Sequence, residues 1–152
     1  MAGRKRKPVT RLSAFWDASA LVPLCVRQAI TPRAIAFYKS HDAVVWWSTP
    51  VEIASALARL VRMKELDSGD STAARKLAQN LRESWSVVQP SDNLRANAEQ
   101  LVERYDLRAA DSLQLAAALE WCEHAPHGRV FLTPDQRLRH AASLIGFDAS
   151  QL

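Results

Sequence analysis

Four acidic side chains stand where they could do chemistry together. Asp17 lies in FWDASAL, Glu52 in STPVEIASAL, Asp111 in LRAADSLQLAAAL and Asp135 in FLTPDQRL. Two carboxylates about 4 Å apart repel by roughly 4 kcal/mol at an effective dielectric near 20, so a cluster of them persists only by taking up protons or a cation. Carboxylate oxygens and water are the ligand set of Mg²⁺ or Mn²⁺, and no His or Cys spacing offers a zinc site. A hard cation with water left in its shell suits phosphate chemistry, because it neutralises phosphate charge and prepares water for in-line attack. The leading chemical class on these residues is a phosphodiesterase.

Each acid also has a local structural use. Thr49-Pro50-Val51-Glu52 reads as a capping box with proline at the first helical position, and Thr133-Pro134-Asp135-Gln136 as another. Asp111 reads as an N-cap, with Gln114 three residues on completing something close to a third box. Asp17 has only the weaker role of a turn residue after a strand. Capping alone scatters acids without regard to their mutual distance, whereas a metal site concentrates them.

The elements decide whether they meet. Short apolar runs without polar alternation, SAFW (13–16), AVVWW (43–47), SVV (86–88) and RVFL (129–132), read as strands buried on both faces, as in parallel sheets. Helical spacing fills the intervals at 20–28, 32–40, 50–64, 70–84, 92–105, 109–124 and 135–145, and FDA after Gly146 reads as a weak last strand. Strands alternating with helices imply an α/β fold with a mostly parallel sheet covered on both faces. Helix N-termini then gather at the carboxyl edge of the sheet, where open α/β folds place ligands near a topological switch point. Asp17, Glu52 and Asp135 belong at that edge. Asp111 joins them only if the helix it opens starts there, and the two helices between the third and fourth strands leave that direction open.

Competing chemistries lack their residues. There is no GxGxxG, P-loop or GxSxG segment. His41, His124, His127 and His140 lie in polar, surface-like settings rather than as an acid/base pair. Trp46 and Trp47 adjoin strand valines and read as core rather than as base-stacking groups.

The 152 residues, 48% hydrophobic and 24% charged, fit one globular domain. Five of the 20 basic residues, Arg4, Lys5, Arg6, Lys7 and Arg11, fall in the first 12 positions, which leaves 15 against 16 acidic residues in the body. Residues 1–12 therefore read as a basic, disordered tail and 13–152 as the domain. Cys25 and Cys122 read as buried thiols of a reducing cytosol, and no apolar run is long enough for a membrane span.

Taken with their neighbours, FWDASALVPL, STPVEIASALARL, LRAADSLQLAAAL and VFLTPDQRLRHAASLIGF resemble, in order and spacing, the segments of PIN-domain ribonucleases, most nearly the VapC-type toxins of bacterial toxin–antitoxin pairs. The resemblance runs from about residue 13 to 148. It implies a three-layer α/β/α sandwich around a mostly parallel sheet of four or five strands. It also implies a Mg²⁺- or Mn²⁺-dependent endoribonuclease that cuts single-stranded or looped RNA with water as nucleophile. The family's four acids fall on Asp17, Glu52, Asp111 and Asp135, and its supporting hydroxyls on Ser19 and Thr133. It further implies a cytoplasmic homodimer held inactive by a small VapB-like antitoxin, which wraps the early helices and can push a basic side chain into the acidic pocket. The basic tail is outside the usual pattern, and Pro134 is less usual within it. Two other readings compete: a non-toxin PIN nuclease of RNA maturation or DNA flap processing, and a non-catalytic PIN-like module that binds RNA or protein. Such modules typically lose one or more of the acids, and all four are present here.

Overall fold

The computed structural model describes residues 11–152, so residues 1–10, most of the expected basic tail, lie outside the described residues. The chain alternates strands and helices as β1 (Leu12–Trp16), α1 (Ala18–Cys25), α2 (Thr31–Ser40), β2 (His41–Trp46), α3 (Thr49–Arg62), α4 (Ser68–Arg82), β3 (Ser86–Val88), α5 (Asp92–Arg104), α6 (Ala109–Trp121), β4 (Val130–Leu132) and α7 (Gln136–Ile145). The strands pair in the order β3-β2-β1-β4, every pair parallel. The sheet thus grows outward from β1 to β2 and β3, then resumes on the other side of β1 with β4. That reversal is a topological switch point, and it opens a crevice at the carboxyl ends of β1 and β4.

Side-chain alternation along the strands builds the other two layers. Ala14, Trp16, Ala43 and Val45 face one side, where they pack with Leu21 and Val22 of α1, Ala34 of α2, Ile53 and Leu57 of α3, and Ala74 and Ala78 of α4. Phe15, Val44 and Trp46 face the other side, against Leu94 and Leu101 of α5, Leu115 and Ala118 of α6, and Leu138 and Ala142 of α7. Phe15 stacks on Phe131 of β4 with ring centroids 5.4 Å apart, which locks the two strands on either side of the crevice. The result is the three-layer α/β/α arrangement with a central parallel sheet.

Several expectations are corrected. The FDA segment makes a single parallel bridge between Asp148 and Val130 rather than a strand. The edge strand β3 is exposed at Ser86 and Val87, so it is not buried on both faces as the later residues of β1 and β2 are. Trp46 is core, but Trp47 is 55% exposed, because β2 ends at Trp46 and the chain turns into α3. Arg11 is not part of a solvated tail: its guanidinium donates to the Tyr38 and His41 carbonyls at 2.9 and 3.0 Å and pairs with Asp42 at 3.1 Å. Cys122 is buried, whereas Cys25 is only half-buried. His41 is partly buried and stacks on Phe37, while His124, His127 and His140 are exposed. Among the described residues no helix is long and apolar enough to cross a membrane.

Candidate functional site

A cavity of about 280 Å³ opens at the switch point, and Asp17, Glu52, Asp111 and Asp135 all line it, together with Ser19, Ser55, Arg59 and Arg62. Asp111 reaches it because α6 begins at the carboxyl edge, the direction that the spacing of the sequence left open. Ser19 lines the same cavity, and Thr133 is fully buried beneath it.

Asp17 is the innermost of the acids, only 5% exposed. It follows β1 directly and stands at the N-cap of α1, yet its side chain makes no capping bond. Instead one oxygen, Oδ2, accepts hydrogen bonds from the Ser19 hydroxyl and, at 3.0 Å, from the Thr133 hydroxyl. No donor among the described residues reaches Oδ1. Burial pushes its carboxyl up to about 6; the two hydroxyls oppose that rise, and the charges of Glu52 and Asp111 reinforce it.

Glu52 is the fourth residue of α3 and is held from both sides. Ser48 donates to its Oε1 at 2.9 Å, and the Gln114 amide donates to both of its oxygens at 3.2 Å. Burial holds its carboxyl above the ordinary range, and the charge of Asp111 adds to this, while Gln114 and Ser48 pull the other way. The expected Thr49–Glu52 capping box does not form. The helix starts one residue earlier than that pattern requires, and the buried Thr49 hydroxyl accepts from Gln114 at 3.3 Å.

Asp111 is the third residue of α6, not its N-cap; that position belongs to Arg108, whose backbone N–H donates to Asp111 Oδ2 at 3.3 Å. A guanidinium has no acceptor, so only this half of a capping box exists. Burial raises the Asp111 carboxyl, opposed by the Arg108 hydrogen bond and by the Arg108 and Arg137 charges and reinforced by Asp135. Asp135 is exposed and is itself the N-cap of α7, accepting from the Leu138 N–H at 2.9 Å. The Thr133–Gln136 box is therefore displaced as well. Thr133 accepts from the Asp135 N–H at 3.1 Å while donating to Asp17, so one hydroxyl ties the two aspartates together.

Gln114 and Ser48 join the site beyond the residues that the sequence pattern points to. Gln114, the expected capping partner of Asp111, is fully buried and serves Glu52. The sequence carries a signal for it: a polar residue on a helix that is apolar nearly all round must find a partner inside the protein.

Two features bear on a cation. None of the four acids forms a salt bridge among the described residues. Nor do any three described His, Cys, Asp or Glu side chains converge closely enough to make a ready-made ligand set. Mg²⁺ keeps several waters and takes only one or two carboxylates directly, so acids lining one cavity could hold it in part through water. An uncommitted Asp17 oxygen in a carboxylate-lined cavity is the donor chemistry that such an ion requires.

A family model for the PIN domain matches residues 14–144, and the chain belongs to the PIN-domain family. PIN domains are in general nucleases. Two solved structures share the fold. PAE2754 from Pyrobaculum aerophilum is 22% identical, with 86% of this chain and 84% of that one covered and a TM-score of 0.61. FitAcB from Neisseria gonorrhoeae is 17% identical, with 91% and 99% covered and a TM-score of 0.62. No curated protein matches the chain.

Proposed function

We propose that this chain is a divalent-metal-dependent endoribonuclease acting as the toxin of a type II toxin–antitoxin pair. The observation that carries the nuclease reading is that four carboxylates, from four separate stretches of chain, line one cavity at the switch point and have no salt-bridged cation among the described residues. Asp17, Glu52, Asp111 and Asp135 would hold Mg²⁺ or Mn²⁺. When bound, the ion supplies neutralisation of phosphate charge and activation of water for in-line attack on the phosphodiester. The chain's own part is placement. Ser19 and Thr133 fix one Asp17 oxygen and leave the other without a donor among the described residues. Ser48 and Gln114 fix the Glu52 carboxylate. The Arg108 N–H orients Asp111, and the α7 cap orients Asp135.

The toxin role rests on the sequence resemblance, and with it a VapB-like antitoxin partner, a homodimer and a cytoplasmic location. A small open reading frame found abutting the gene and encoding an antitoxin-sized protein would support that role, and its absence would favour RNA maturation. The direct test is cleavage of total cellular RNA by purified protein with Mn²⁺, Mg²⁺ or EDTA, beside the Asp17→Asn variant. Discrete fragments that need metal and appear only with the native side chain are expected. No cleavage under either metal, once any co-purified antitoxin is removed, moves the assignment to a binding module.

A further inference from the structure

We infer that Arg59 and Arg62 form a phosphate subsite for a nucleotide next to the one being cut, so that the cavity engages a single-stranded RNA over more than one phosphate. This rests on the nuclease reading above and adds to it the residues that hold the substrate backbone. The sequence offers several arginines for such a task, and the fold sorts them. Arg27 lines a different cavity, beside Cys25 and Pro32, and Arg33 lies on the exposed side of α2. Arg59 and Arg62 line the acidic cavity itself.

They do so as part of one helical stripe. Glu52, Ser55, Ala56, Arg59 and Arg62 recur at three- and four-residue spacing and all face the cavity. The stripe is acidic at its start, small in the middle and basic at its end. Arg59 is seven residues beyond Glu52, about 10 Å along the helix axis at 1.5 Å per residue. That separation leaves room for a second phosphate beside the one gathered at the acids, within the same cavity. The small Ser55 and Ala56 leave the floor between them open.

Charge gives the reason. A polyanion approaching four carboxylates is repelled unless cations flank them. Arg59 and Arg62 are exposed and form no salt bridge among the described residues, so their donors are uncommitted. Guanidinium groups present forked donors that match phosphate oxygens bidentately. On the α6–α7 side, Arg108 and Arg137 act on Asp111, so positive charge borders the acids there too. A bland use exists as well, since cations in the last turn of a helix suit its dipole. That use predicts no effect on RNA.

The test reads binding and cleavage separately. Affinity for a short, labelled single-stranded oligoribonucleotide is measured by anisotropy in Mg²⁺, in an Asp17→Asn background so that the probe is not consumed. Adding Arg59→Ala and Arg62→Ala is expected to raise Kd about tenfold or more. It should also flatten the dependence of log K on log salt by about 0.7 for each phosphate contact removed. Arg59→Lys with Arg62→Lys should restore the salt slope and recover only part of the affinity, because the charge returns without the fork. In the otherwise native protein the alanine pair should raise KM by a similar factor and leave kcat within about twofold, the signature of lost uniform binding. Unchanged Kd and salt slope, or no measurable RNA binding in the parent variant, overturns the subsite. Failure of the native protein to cut RNA overturns the nuclease reading instead.

Discussion

Strands β1 and β4 lie side by side, and each is followed within three residues by an aspartate at the N-cap of the next helix. The two carboxylates are nonetheless used differently. Asp135 gives an oxygen to its own helix, bonding the Leu138 N–H, and is exposed. Asp17 gives α1 nothing; it is buried, braced by two hydroxyls, and keeps one oxygen free of donors among the described residues. One acid is placed by helix capping and the other against the preference of a buried charge for water. A group held at such a cost without a capping role is the better candidate for chemistry.

The largest expected consequence is in cleavage. On the nuclease reading, Asp17→Asn should lower the single-turnover rate at saturating Mn²⁺ by a thousandfold or more, about 4 kcal/mol of transition-state stabilisation. Asp135→Asn should cost roughly ten- to a hundredfold, because a charge near solvent acts through a higher dielectric. Equal losses in the two variants would erase the distinction between them.

The next consequence is in the stability of the metal-free protein. The Asp17 carboxyl rises from 3.8 to about 6 in the fold, so between those values the native state binds more protons than the unfolded chain. Stability is then fully present below about pH 4 and falls as pH climbs through 6. At pH 7 the ionised group costs on the order of 3 kcal/mol, at about 1.4 kcal/mol per pH unit. Asp17→Asn keeps an oxygen for Ser19 and Thr133 and removes the charge. It should raise apo stability at pH 7 by roughly 2–3 kcal/mol, several degrees in Tm for a domain of this size, with little change at pH 4. Denaturant titrations in EDTA at both pH values check this, and a variant less stable than the parent at pH 7 contradicts it.

These differences mark where the sequence was legible. Short apolar runs announced the parallel strands, and acids at their ends announced the cavity, because both signals are local. The helix starts were harder. STPVE and LTPDQ look alike, yet α3 begins at Thr49 and α7 only after Asp135. The deciding partners are remote: the Thr49 hydroxyl is taken by Gln114, 65 positions away, and the Thr133 hydroxyl by Asp17, 116 positions away. A capping pattern states which bond is available locally and cannot state which distant group outbids it. Trp46 and Trp47 show the same limit, since two identical neighbours part company where a strand ends. The direction of α6, which brings Asp111 to the others, follows from packing that no local pattern encodes.

The smallest expected effect isolates the capping half of the comparison. Asp135→Ala removes the acceptor for the Leu138 N–H and should cost about 1 kcal/mol of stability, the usual value of an N-cap. Asp135→Asn keeps a good N-cap and should leave stability within about 0.5 kcal/mol of the parent. The pair therefore separates capping from charge: alanine loses both, whereas asparagine loses only charge. Asp17 should behave in the opposite sense, with asparagine gaining stability, because the substitution removes a buried charge and costs no cap. Denaturation midpoints for the Asp135 pair at pH 7 in EDTA decide the matter. If alanine and asparagine prove equally stable, Asp135 is not held by its cap, and the contrast with Asp17 loses its structural basis.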